Sequence, residues 1–249
     1  MNDDRSVLDR PAAEPDDVLV YGPGPDQVVD VYVGSATHSF VGPLVVFFHG
    51  GFWRQEYDRR HVRPLAHSLA RAGCTVALVE YRRVAGGGGW PATFDDVRLA
   101  LREVVAARTD APAVVLGGHS AGGHLALWVA AQPDVPTLAR VVALAPVADL
   151  LECDARHLGD DAARALLGGP PAQHRRRWGA ADPALLPTPA APVTLIHARD
   201  DSLVPITLSR RYADVHRATT VIEVDGGHFA VIDPDSRAWP TVRRAMLVP

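Results

Sequence analysis

No stretch of the chain reaches the roughly 18 continuous apolar residues that a membrane-spanning helix needs. The opening residues, MNDDRSVLDRPAAEPDD, also lack the apolar core of a secretory leader, so a cytoplasmic location is expected. Cysteine is scarce: Cys74 and Cys153 occur without C-x-x-C spacing, which excludes a disulfide framework and a thiolate zinc site and leaves two buried, inert thiols. There is no H-E-x-x-H, and no pair of histidines at one-turn helical spacing beside a carboxylate, so neither metal nor cofactor is expected. Positive charge is not in excess. A formal net charge of −4 argues against a nucleic-acid binder and for a small-molecule partner, with a homodimer left open. The glycine run 86–89 lacks the Lys-Ser/Thr of a P-loop and is not placed as G-x-G-x-x-G between strand and helix, so it is read as a mobile surface loop.

What is present suits one sizeable core: 249 residues, 47% hydrophobic and 22% charged, are ordinary for a single globular domain. Residues 1–16, acidic and interrupted by Pro11 and Pro15, are read as a flexible arm without chemistry, and 17–249 as one domain. Val18–Tyr21 and Val28–Val33 flank Gly22-Pro23-Gly24-Pro25 and predict an antiparallel hairpin. Pro43–His49 and Thr75–Tyr81 run apolar without alternation, as strands covered on both faces do. Further strands are expected at 114–116, 140–146, 193–197 and 219–224. Helices are expected over about 61–71, 93–107, from the elbow to about 130, 205–217 and 235–247. This alternation predicts an α/β fold with a doubly wound, mostly parallel sheet of about eight strands and an antiparallel start. Residues 149–192, rich in Ala, Pro and Arg with one predicted helix over 161–167, are a candidate cap over the site.

The chain is organised around Ala113–Ala130, where the strand at Val114–Leu116 turns through Gly117-Gly118 directly into a helical pattern. Gly118-His119-Ser120-Ala121-Gly122 fits G-x-S-x-G, whose sharp elbow lifts the middle residue into solvent at the carboxyl end of its strand. Ser120 is thereby presented as a nucleophile. A serine hydroxyl needs a base, and the base needs a carboxylate to fix its tautomer. Functional groups in open α/β sheets gather in the loops after strands. Those loops offer Asp201, in RDDSLVP, and His228, in GGHF. Asp200 and Asp149 are the rival carboxylates. His119 and His124 flank the elbow and are read as packing or surface residues.

HGGFW at 49–53, GHSAGGHLA at 118–126, D-x-x-V-P at 201–205 and Gly227-His228 together resemble the α/β-hydrolase superfamily, in its branch of small esterases and kynurenine formamidases. The resemblance spans roughly residues 40 to 240. H-G-G-x-W is similar to the oxyanion loop of the formamidases, whereas lipase-like esterases usually carry H-G-G-G, and Phe52 stands at that third glycine. The resemblance implies Ser120 as nucleophile, His228 as general base and acid, and Asp201 as the orienting carboxylate. It further implies an oxyanion hole from the backbone N–H groups of Gly51, Phe52 and Ala121. His49 is expected to brace that loop, and Trp53 and Trp90 are candidates for an aromatic substrate pocket. The expected activity is hydrolysis of a small acyl group from an aryl amide or ester through an acyl-enzyme. A short-chain carboxylesterase and a non-catalytic hydrolase-like binding protein are the alternatives.

Overall fold

The computed structural model describes residues 4–34 and 41–247; residues 1–3 of the expected arm and 248–249 at the end of the expected domain lie outside these. Eight strands form one sheet in the order β1-β2-β4-β3-β5-β6-β7-β8. β1 (Asp17–Val20) pairs antiparallel with β2 (Val28–Tyr32), which pairs antiparallel with β4 (Thr75–Val79). From there every pairing is parallel, through β3 (Leu44–Phe48), β5 (Val114–His119), β6 (Arg140–Leu144), β7 (Val193–Ala198) and β8 (Thr220–Val224). The sheet is the one its sequence predicts.

Successive side chains on a strand point to opposite faces, and here both faces are covered, which is why the central strands carry no polar alternation. Val46, Phe48, Val79 and Leu116 pack with α2 (Ala92–Ala107) and α3 (Ala121–Ala130) in one core. Val45, Phe47, Leu78 and Val115 pack with α1 (Arg63–Arg71) and α8 (Trp239–Leu247) in the other. Burying each such side chain contributes about 1.5–3 kcal/mol. β8 is an edge strand and only partly buried, so it retains Thr220 and Glu223. Helix ends differ from the periodic pattern where prolines intervene: α1 starts at Arg63, with Pro64 in its first turn, after a 3-10 turn over Arg59–Val62.

Two expectations about covering segments change places. Residues 149–192 hold three helices rather than one, α4 (Leu150–Ala155), α5 (Ala162–Leu167) and α6 (Arg175–Ala181). The next helix, α7 (Thr207–Val215), comes only after β7. Helices of six or seven residues show less than two turns of apolar repeat, so periodicity misses two of the three. The stretch packs against the flank of the 49–53 loop, where Arg54 donates to the Gly159 carbonyl, and against α3 through His124 and Trp128. It supplies no wall of the cavity at Ser120.

The arm does supply one. Ser6–Asp9 forms a 3-10 turn with Val7 buried, Arg10 grips Asp233 with both terminal nitrogens (2.5 and 3.1 Å), and the Tyr32 hydroxyl donates to the Ala13 carbonyl (2.8 Å). Its low apolar content is offset by ion pairs, which composition does not reveal.

Candidate active site

Ser120 joins β5 to α3 with φ 55° and ψ −117°, a left-handed conformation rare outside glycine. Its neighbours impose that geometry. The Ser120 amide donates to the Leu144 carbonyl of β6 (2.9 Å), while its own carbonyl accepts from His124 (3.0 Å) and Val147 (3.2 Å). Such a residue costs of order 1–3 kcal/mol and persists only where the surroundings over-determine it. A glycine at 122 is required for close approach: a Cβ there would fall 2.1 Å from the Phe48 carbonyl oxygen.

His228 follows β8, and its Nδ1–H donates to Asp201 Oδ2 at 2.7 Å, which leaves Nε2 as the basic nitrogen. Asp201 follows β7; its other oxygen accepts the amides of Leu203 (2.9 Å) and Val204 (2.8 Å). His197, assigned by sequence only to a strand, supports the same carboxylate. Its Nε2 faces Asp201 Oδ2 (3.2 Å) and the Val204 carbonyl (2.8 Å), two acceptors, so that nitrogen carries the proton and Nδ1 accepts from the Ser209 hydroxyl (2.7 Å). Burial alone would raise the Asp201 carboxyl, but the hydrogen bonds from His197 and His228 outweigh it and hold the group well below the usual carboxylate range.

The rival carboxylates have other partners. Asp200 accepts the amides of Gly226 and Gly227 (3.1 Å each) and so fixes the loop that carries His228. Asp149 caps α4 by accepting from Glu152 (2.8 Å) and pairs with Arg211 (2.8 Å).

The loop after β3 is held from beneath. His49 Nε2 meets Glu80 Oε1 at 2.8 Å, Arg83 and Arg59 pair with the same carboxylate, and the Tyr81 hydroxyl donates to the His49 carbonyl (2.7 Å). Burial opposes ionisation of Glu80, yet His49, Arg83 and the Arg59 amide bring it down to about 2. His49 braces the loop, as its place in the motif predicts. Above this base, Gly51, Phe52 and Trp53 are consecutive left-handed residues (φ 112°, 50° and 57°). A Cβ on Gly51 would fall 2.4 Å from Tyr57 Cβ. The amides of Gly51, Phe52 and Ala121 have no acceptor among the described residues.

Ser120, His228, Gly51 and Phe52 line one cavity of about 90 Å³, whose remaining wall is Tyr57, His61, His119, Leu203, Phe229 and, from the arm, Arg5 and Leu8. The two tryptophans do not. The left-handed turn sends Trp53 into the core, fully buried and edge-on to His124 (5.1 Å), while its neighbour Phe52 takes the cavity side. Trp90 packs on Phe94 (4.9 Å) and borders a separate surface groove with Arg175, Arg176 and Arg177. His119 is more than packing: its Nε2–H donates to the His228 carbonyl (3.1 Å) and its ring lies 4.6 Å from the His228 ring. Burial, then the neighbouring His228, pushes His119 well below its usual value. Among the described residues no group of three metal-ligating side chains converges. Burial pushes both cysteine thiols up to about 12.

A mostly parallel sheet of this order, with a strained serine elbow after β5, defines the α/β-hydrolase fold. The chain belongs to the BD-FAE family, whose model matches residues 29–215. It is 35% identical over 109 residues to kynurenine formamidase of Danio rerio, a match covering 44% of this chain and only 36% of that protein. It is 27% identical over 240 residues to kynurenine formamidase of Drosophila melanogaster, covering 87% of this chain and 75% of that one. Among solved structures, esterase B from Lactobacillus rhamnosis superposes with a TM-score of 0.77 at 22% identity, over 97% of this chain and 88% of that one. No described helix is long and apolar enough to cross a membrane.

Proposed function

We propose that the chain is a cofactor-independent serine hydrolase that removes a small acyl group from an aryl amide or ester. The carrying observation is the 2.7 Å bond from His228 Nδ1 to Asp201, with the His228 ring and Ser120 on the wall of one cavity. In this reading His228 Nε2 takes the hydroxyl proton as Ser120 Oγ attacks the carbonyl carbon. The tetrahedral oxyanion is met by the free amides of Gly51, Phe52 and Ala121, each such donor being worth about 3 kcal/mol of barrier. The imidazolium of His228, opposite the Asp201 carboxylate, then gives its proton to the departing amine or alcohol. Water, activated by the same imidazole, releases the acid and restores Ser120.

A space of about 90 Å³ favours a formyl or acetyl group over a long acyl chain, since drug-sized sites run to roughly 300–1,000 Å³. Together with the formamidase relatives, this supports an N-formyl aryl amine such as N-formylkynurenine as substrate. The second reading is a short-chain carboxylesterase with the same residues, favoured by the fold of esterase B. Turnover of N-formylkynurenine and p-nitrophenyl acetate, measured side by side, decides: formamidase preference is expected, and ester preference by orders of magnitude overturns it. A fluorophosphonate probe is expected to label the wild type and not Ser120→Ala; equal labelling of both would remove Ser120 from its role.

A further inference from the structure

The wall of the cavity at Ser120 is apolar or neutral with one exception. Arg5 is its only permanently charged side chain, and it comes from the segment that composition assigned no chemistry. The other arginines around the outer groove beside this cavity are neutralised: Arg10 by Asp233 and Asp235, Arg60 by Asp58, Arg63 by Asp30 and Glu14. Arg5 has no carboxylate within ion-pair distance among the described residues. Its guanidinium instead lies 5.4 Å from the centre of the Phe229 ring. The Phe229 ring lies 5.0 Å from the His228 ring, so this cation shares the part of the wall that holds the imidazole assigned to protonate the leaving group. The amides of Gly51 and Phe52 belong to a different loop.

We infer that Arg5 is a specificity-determining residue that reads an anionic group, a carboxylate in the first instance, on the leaving-group portion of the substrate. The inference rests on the hydrolase reading above and narrows its substrate class to acyl aryl compounds whose departing amine or alcohol carries negative charge. Arg5 is exposed, but its backbone leads into the packed 3-10 turn at Ser6–Asp9 and its guanidinium faces the Phe229 ring at the cavity wall, where it can donate two parallel hydrogen bonds to a carboxylate. A neutral leaving group offers this cation no anionic acceptor.

The test compares 4-acetoxyphenylacetate with its neutral analogue 4-acetoxyphenylacetamide, which share acyl group and phenol. For the full chain, kcat/KM is expected to favour the anionic ester by about five- to tenfold at low salt, because one partly solvated charge pair contributes modestly. The preference should shrink as salt screens it. Arg5→Gln is expected to bring the ratio close to one, Arg5→Lys to keep part of it, and Arg5→Glu to reverse it. Because the readout is a ratio within one variant, a general loss of folding or activity does not imitate the effect. An unchanged ratio across wild type, Arg5→Gln and Arg5→Glu overturns the inference while leaving the hydrolase intact. If wild type turns over neither ester nor N-formylkynurenine, the hydrolase reading falls and this one with it.

Discussion

At the scale of single residues, the site is a chain of histidines in which each ring has a different task set by its partners. His228 is oriented by Asp201, Asp201 is steadied by His197 and two amides, and His119 holds the backbone of His228. His119 touches no reacting atom in this arrangement, so it is a positioning residue. His119→Phe keeps the ring volume and removes the Nε2–H donor. We expect kcat to fall about tenfold with KM nearly constant, since a net hydrogen bond is worth roughly 1 kcal/mol and loosening the base is felt in the transition state. His119→Gln, which restores a donor, should recover part of the loss and of the wild-type pH–rate profile. A KM effect equal to the kcat effect would contradict positioning. The placement of Ser120 at an elbow, and of Asp201 and His228 in loops after neighbouring strands, was legible because elbows and post-strand loops obey local rules. His119 was visible in the motif but not its bond, and His197 not at all as a support. The His119–His228 bond crosses 109 positions, and the His197–Asp201 bond, though only four positions apart, forms because the chain folds back on itself after β7, which strand alternation does not show.

Among elements, the loop after β3 carries the most strain. Three consecutive left-handed residues leave the amides of Gly51 and Phe52 without an acceptor among the described residues, and the Glu80 network braces the loop through His49. Gly51→Ala puts a methyl group against Tyr57 at a φ that alanine tolerates poorly. We expect kcat to fall about 10²–10³-fold, the cost of one lost oxyanion donor, with a smaller loss of thermal stability. Wild-type kcat in Gly51→Ala would mean that the amides of this loop do not meet the developing charge. H-G-G-x-W revealed the loop, but not which way its tryptophan faces. The pair of left-handed residues Phe52 and Trp53 inverts the alternation that an extended reading assumes. Trp53 therefore joins the core, and the half-buried aromatic of the pocket is Phe52.

For the whole molecule, the sheet was readable because buried parallel strands advertise themselves as apolar runs, whereas the covering segments were not. Short helices give no period, and the acidic arm is docked by salt bridges that composition counts as solvation. Burial of ionisable groups also sets the response to acid. His124 is fully buried, donates to the Ala181 carbonyl (3.0 Å), and is brought down to about 4 by its burial; His61 is brought to about 4 by burial and then by His49. Both fall below the unfolded value of 6.5, so the unfolded chain binds protons that the folded chain refuses. Stability from keeping them neutral is complete above about pH 6.5 and is lost as pH falls toward 4, on the order of 3 kcal/mol for His124. Denaturant melts at pH 7.5 and 4.5 should show this drop, and His124→Phe should show less of it. Equal drops in both proteins would place the acid sensitivity elsewhere. Glu80 acts lower on the scale: its contribution is complete above its unfolded value of 4.5 and is lost between there and about 2.

The clasp between Arg10 and Asp233 joins residues 223 positions apart. The wall that Arg5 and Leu8 lend the cavity therefore hangs on a contact of very large sequence separation, so a change at Asp233 is felt at the rim of the pocket.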